Sequence, residues 1–320
     1  MATLNLVQAV TSALADEMER DARVVLLGED IGRDGGVFRA TEGLLERFGP
    51  ERVIDTPLAE LGIIGASIAM AACGLRPVAE IQFMAFIYGG LEQLISHAAR
   101  LRSRSRGRFT VPMVVRTPYG IGIKAPELHS ESTEAILCHV PGLKVVVPST
   151  PYNARGLLTA AIRDPDPVIF LEPSRLYRGV KGEVPERPYE IELGRASVYQ
   201  EGTDLTVVAW GTMLHRAVEA SEGFDAEIID LMTLKPFDEE TIIESVKKTG
   251  RLVIVHEATR NCGLGAEISA LVAEEAILHL KAPIVRVAGP EAVVPLALLE
   301  DHYMPSKERI RRAYERVMEF

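Results

Sequence analysis

Apolar positions along this chain alternate between helical spacing and short unbroken runs. Leu6, Ala9, Val10, Ala13, Leu14 and Met18 fall on one helical face, and Val24-Val25-Leu26-Leu27 follows as a buried strand. The spacing predicts a helix over 60–72, with Thr56 as N-cap and Pro57 at its first position, because proline's fixed φ suits a helix start. A strand over 78–82 and a long helix over 88–106 come next, then strands over 113–116 and 143–147, a helix over 152–163 and a strand over 168–171. Between Gly179 and Gly194 the chain turns polar, which reads as a linker, and the alternation then restarts. Strands are expected over 205–209, 226–230, 252–256 and 284–287, with helices between them and a last helix over 307–318. Alternating strands and helices of this kind imply mostly parallel sheets covered on both faces. The pattern therefore predicts two α/β domains, residues 1–185 and 186–320.

Composition narrows the function classes. At 320 residues the chain is long enough for two full cores, and 47% hydrophobic with 25% charged residues is a globular balance. A formal charge of -10 argues against a general nucleic-acid binder, whose affinity comes from neutralising phosphates. The basic run Arg100 to Arg106 reads instead as a solvated helix end or a subunit contact. No apolar run reaches membrane-spanning length, and no cationic segment leads into an apolar stretch near Met1. Cys73, Cys138 and Cys262 are widely spaced, which suits a reducing compartment, and the expected location is the cytoplasm.

General motifs give little. Gly263-Leu264-Gly265 has two glycines at dinucleotide spacing, but Ile268 stands where the third belongs, so a plain turn is expected. His256-Glu257 lacks the second histidine of a zinc-protease helix, since Arg260 occupies that position. Ser67 sits inside an apolar helix and reads as a packing residue. Glu60 is more informative, because it introduces a strongly apolar helix. It is either an acid placed in the first turn by the helix dipole, or a buried acid reserved for a partner that needs a proton held on it.

Segments spread along the chain carry a family resemblance. They include Gly28-Glu29-Asp30, Gly35-Gly36-Val37-Phe38-Arg39-Ala40-Thr41-Glu42-Gly43, Asp55 to Gly65, Leu75 to Phe83, Pro141 to Val146, Pro148 to Tyr152, Asp166 to Pro173, Lys247 to Arg251 and Val255 to Ala258. On these the chain resembles the β subunits of pyruvate and branched-chain 2-oxo acid dehydrogenase E1 components. The resemblance implies a transketolase-like pyrimidine-binding domain followed by a smaller α/β transketolase C-terminal domain. It implies an enzyme that oxidatively decarboxylates a 2-oxo acid and passes the acyl group to the lipoyl group of E2. Pyruvate is the favoured substrate, with branched-chain acids next. A non-catalytic scaffold or regulatory homologue is the alternative.

The resemblance also implies residue roles. Glu60 matches the glutamate that bonds N1′ of the thiamine aminopyrimidine, favouring the tautomer whose 4′-nitrogen removes the thiazolium C2 proton. Phe86 matches the ring that packs on the aminopyrimidine, and Gln82 falls in the same cofactor site. His129, in a proline-containing polar loop, matches the histidine that assists intermediates and acyl transfer, work suited to an imidazole near neutral pH. Ala85, Ile121, Lys124 and the segment from Glu291 to Pro295 depart from common family residues. Main-chain carbonyls at Met113, Ala161, Ile162, Asp164 and Asp166 match a structural K+ site, the donor type that hard cations take.

The chain contains no Gly-Asp-Gly, the family's Mg2+-holding motif for thiamine diphosphate. The resemblance therefore implies that an E1 α subunit binds the diphosphate and Mg2+, in an α2β2 heterotetramer. The C-terminal domain is then expected to supply contacts between β subunits and to help dock E2.

Overall fold

The computed structural model describes residues 1–320 as two large sheets with helices on their faces and one small two-stranded sheet. The larger sheet has seven strands in the order Thr233–Lys235, Lys144–Val146, Val168–Pro173, Val114–Tyr119, Arg76–Glu80, Val24–Gly28 and Val53–Asp55. All pairs are parallel except the first, where Thr233–Lys235 crosses over from the second half of the chain and runs antiparallel. The second sheet has five strands in the order Val285–Gly289, Leu252–Thr259, Leu205–Ala209, Ala226–Asp230 and Ser197–Gln200, with only the last antiparallel.

Local chemistry explains the helices that frame the first sheet. Leu6–Arg20 opens with a capping box in which Asn5 accepts from the Gln8 N–H and Gln8 reaches back to the Asn5 N–H. Pro151–Arg163 begins with a Thr150 cap and proline in its first turn. These two helices pack together, and the buried carboxylate of Glu17 takes the Arg163 guanidinium between them. The largest apolar core runs between the sheets: Ile64, Leu143 and Ile169 from the first domain meet Trp210, Ile229 and Ile254 from the second. Smaller cores fill the outer face of each sheet.

Several expectations need correction. The helix expected over 88–106 is broken into Met84–Gly90, Leu91–Ser96, Ala98–Arg100 and Leu101–Arg104, the first and third being 3-10 turns. Gly90 presses on the neighbouring helix, where a Cβ would lie 2.4 Å from Ile64 Cδ1 and 3.1 Å from the Glu60 carbonyl. At the second break, Gly142 (φ +94) crosses so closely that a Cβ would lie 2.1 Å from the Ala99 carbonyl oxygen. Thr56 is not the cap of the following helix. Its N–H bonds to the Gly28 carbonyl at 2.9 Å, and the helix starts at Glu60 after Ala59. The polar stretch expected as a linker contains a strand, Lys181–Val184, paired antiparallel with Ala2–Asn5. Tertiary pairing makes that strand; its own residues alternate charge with little apolar signal. Ser67 packs as expected, its hydroxyl bonded to the Ile63 carbonyl at 2.8 Å. The turn at Gly263–Gly265 is packed onto the buried His256 ring, since a Cβ on either glycine would lie 2.8 Å from a ring atom. The three cysteines are free. No helix is long and apolar enough to cross a membrane.

Candidate active site

The expected site residues follow the carboxyl ends of three parallel strands, the place where open α/β sheets leave room for ligands. Glu60 starts the helix after Val53–Asp55. Gln82 and Phe86 follow Arg76–Glu80, and His129 lies on the loop after Val114–Tyr119.

The tightest feature is a ring cluster. The His129 imidazole lies 4.3 Å between centroids from Phe83, tilted by 59°, and 5.1 Å from Phe86 in an edge arrangement. Phe83 and Phe86 meet edge-on at 5.6 Å. His129 is half-buried, and its Nδ1 is shielded from solvent with no hydrogen-bond partner. An unpartnered buried polar nitrogen costs stability unless something completes it, so it points to a ligand or an ordered water. The loop is braced by the Tyr88 hydroxyl, which donates to Glu131. Burial, and then that carboxylate, push the Tyr88 phenol up to about 12.

Glu60 lies at the other end of the Met84–Gly90 turn. A Cβ on Gly89 would stand 4.0 Å from its Oε2, so the absence of a side chain there leaves the carboxylate uncovered. Glu60 is half-buried, not the deeply buried acid that one reading of the sequence suggested. Nearby Glu29 has its carboxyl pushed up by burial and by the charges of Asp30 and Glu60. Gln82 is half-buried in the bend just before the turn that carries Phe86. The structure therefore brings Phe86 and His129 into contact and sets Glu60 at one end of the Met84–Gly90 turn, with Gln82 just before the other end.

Beneath the turn is a charge network that the sequence reading missed. Arg116 donates through Nη1 to Glu80 at 2.5 Å and through Nε and Nη2 to Glu172 at 2.8 and 2.9 Å. The Tyr177 hydroxyl adds a bond to Glu172 at 2.5 Å. All four side chains are buried. Burial pushes the Glu80 carboxyl up against the opposing pull of Arg116, and burial's downward effect on Arg116 is outweighed by Glu172 and Glu80. Gly36 (φ +80) passes directly over this group, where a Cβ would lie 2.9 Å from Glu80 Oε1. Part of the signal was present: Arg116 and Glu172 are the lone charges of their strands, and Glu80 ends a strand whose only other charge is Arg76 at its start.

Most of the positions expected to hold K+ gather around one turn, where two of their carbonyls also meet Arg76. Arg76 donates to the Ile162 carbonyl at 2.8 Å and to the Asp164 carbonyl at 3.3 Å. The Met113 carbonyl accepts from the Val168 N–H, and the Ala161 carbonyl from the Asp164 N–H. Asp164 and Asp166 side chains pair with Lys144 and Arg102. Arg76 thus already bonds two of the five carbonyls, which a potassium ion would share with the guanidinium. No group of three or more His, Cys, Asp or Glu side chains is arranged to hold a metal ion.

Comparison with known proteins identifies the family. Residues 2–180 match the family described as the transketolase pyrimidine binding domain, and residues 194–310 match the transketolase C-terminal domain. The chain is 52% identical to a pyruvate dehydrogenase E1 component subunit beta from Acholeplasma laidlawii, over 97% of this chain and 96% of that one. It is 47% identical to the Bacillus subtilis protein of the same name and 46% identical to that organism's 2-oxoisovalerate dehydrogenase subunit beta, each over the full length of both chains. A solved split-gene transketolase, described as an inactive beta4 tetramer, has the same fold, with a TM-score of 0.80 at 24% identity over 99% of this chain and 98% of that one. The chain belongs to the transketolase-like family, among the β subunits of 2-oxo acid dehydrogenase E1 components.

Proposed function

We propose that this chain forms the pyrimidine-activating half of a thiamine-diphosphate-dependent E1 enzyme that decarboxylates pyruvate and acylates the lipoyl group of an E2 acyltransferase. The observation that carries this reading is the His129 ring seated on Phe83 and Phe86 with an unpartnered, shielded Nδ1. When bound, thiamine diphosphate supplies an electron sink for the pair released as carbon dioxide leaves. Glu60 holds a proton at N1′ of the aminopyrimidine. Phe86, braced edge-on by Phe83, offers that ring an apolar face, and Gln82 offers a polar side chain beside it. His129 handles a proton as the acyl group reaches the lipoyl sulfur, a role open to an imidazole at neutral pH.

The diphosphate and its Mg2+ fall to an E1 α subunit in an α2β2 heterotetramer, working in the cytoplasm. Relatives named for pyruvate and for 2-oxoisovalerate are almost equally similar, at 47% and 46% in Bacillus subtilis. Assay decides between them. Co-expression with a candidate α subunit should give decarboxylation of pyruvate with an artificial electron acceptor, dependent on thiamine diphosphate and Mg2+. Faster turnover of 3-methyl-2-oxobutanoate than of pyruvate would replace the substrate assignment, and no turnover with any 2-oxo acid would remove the enzymatic reading.

A further inference from the structure

We propose that Glu257, from the second domain, is a positioning residue for the loop that carries His129; its catalytic consequence rests on the role of His129 given above. The loop is closed on itself where the Gly120 N–H donates to the Glu131 carbonyl at 3.0 Å. Immediately beside that closure, the Ile121 N–H donates to Glu257 Oε2 at 3.2 Å across the domain boundary. Glu257 lies on Leu252–Thr259 and is 5% exposed. The Ile121 side chain is 2% exposed and is counted in the core of the second domain, with Val255, Val287 and Tyr303. Gly120 (φ +78) fits so closely that a Cβ would lie 2.3 Å from Glu257 Oε2. The loop thus enters the second domain at Gly120 and Ile121, held by a buried hydrogen bond, an apolar plug and a glycine contact.

Glu257 is not needed to hold the domains together. Ser149 donates to Asp230 at 2.7 Å and accepts from the Gly211 N–H at 2.9 Å across the same boundary. The strand Thr233–Lys235 is built into the first sheet, and the largest core is shared. Loss of Glu257 should therefore loosen the loop and leave the junction standing. A loosely held loop lowers the fraction of time that His129 spends in productive geometry.

The test uses the enzyme co-assembled with its α subunit. In Glu257→Ala, hydrogen exchange over residues 120–131 should accelerate by about tenfold or more, with the rest of both domains unchanged. The ratio of lipoyl-domain acylation to artificial-acceptor turnover should fall by about fivefold or more. Glu257→Gln keeps an oxygen that can accept from the Ile121 N–H and should restore both readouts to within about twofold. Ile121→Ala, which removes the apolar plug, should show the same loop-selective loosening if Glu257→Ala assembles poorly. Unchanged loop exchange in Glu257→Ala, or acceleration spread evenly over both domains, overturns the proposal. Loosening with an unchanged ratio supports the anchor and instead overturns the role given to His129.

Discussion

Arg116→Met removes the one cation in a buried network and leaves its partners in place. The arginine side chain is 3% exposed, and its partners Glu80 and Glu172 are 8% and 0% exposed. Methionine fills most of the stem's volume, so packing changes little and the effect is electrostatic. Stripping one partner from a buried ion network costs about 3–5 kcal/mol, because uncompensated charge remains. Glu80 is already held above its usual range by burial with Arg116 present, and without that cation its carboxyl should move further up. A carboxyl whose folded pKa is raised binds more protons folded than unfolded, so its stability contribution falls as pH rises through that window. The loss in Arg116→Met should therefore be larger at pH 8 than at pH 5.5. Urea unfolding of the variant and the parent at both pH values measures it. Arg116→Lys keeps the charge but not the two-sided fork and should fall between them. A loss below about 1 kcal/mol at pH 8, or a greater loss at pH 5.5, would refute the network's role beneath the Gln82–Phe86 turn.

His129→Ala should lower lipoyl acylation by about a hundredfold or more, with a smaller effect on artificial-acceptor turnover, as rapid-quench kinetics with a free lipoyl domain would show. Equal losses in both assays would count against its role in transfer. Exchanging NaCl for KCl at constant ionic strength should leave the melting temperature unchanged, since Arg76 already bonds the Ile162 and Asp164 carbonyls. A potassium-specific rise would show that the guanidinium yields to the ion. Burial pushes the Glu134 carboxyl up to about 7, so ionising it between pH 5 and pH 8 costs the folded state. Glu134→Gln should gain about 2–3 kcal/mol over the parent on going from pH 5 to pH 8, read from urea midpoints. A pH-independent difference would mean that Glu134 does not titrate in that range.

Periodic elements were legible because their own residues dictate them. The Leu6–Arg20 helix shows its apolar face in sequence, and Val168–Pro173 and Leu205–Ala209 are short stretches made mostly of apolar residues. What was not legible depends on distant partners. Lys181–Val184 is a strand only because Ala2–Asn5 lies beside it, and the interruptions near Gly90 and Ala99 arise where other segments press on the backbone. At the site, Glu60, Gln82, Phe86 and His129 were nameable from the resemblance, and the fold sets Phe86 against His129 and Glu60 beside Gly89. Phe83 lay unassigned among the matching segments, although its ring is nearer His129 than that of Phe86. Glu257 was visible as half of a failed zinc motif and inside one matching segment, with no role attached to it. Its bond to the Ile121 N–H spans 136 residues, a separation that no local pattern reports.

The central claim is that this chain supplies the acid that activates the cofactor, and Glu60→Ala addresses it most directly. The assembled α and β subunits, loaded with thiamine diphosphate and Mg2+, are mixed with deuterium oxide, and C2–H exchange is followed by quench and NMR. Exchange should slow by about a hundredfold or more relative to the parent, with assembly and cofactor loading intact. Exchange at the parent rate in a fully loaded Glu60→Ala enzyme would contradict the account.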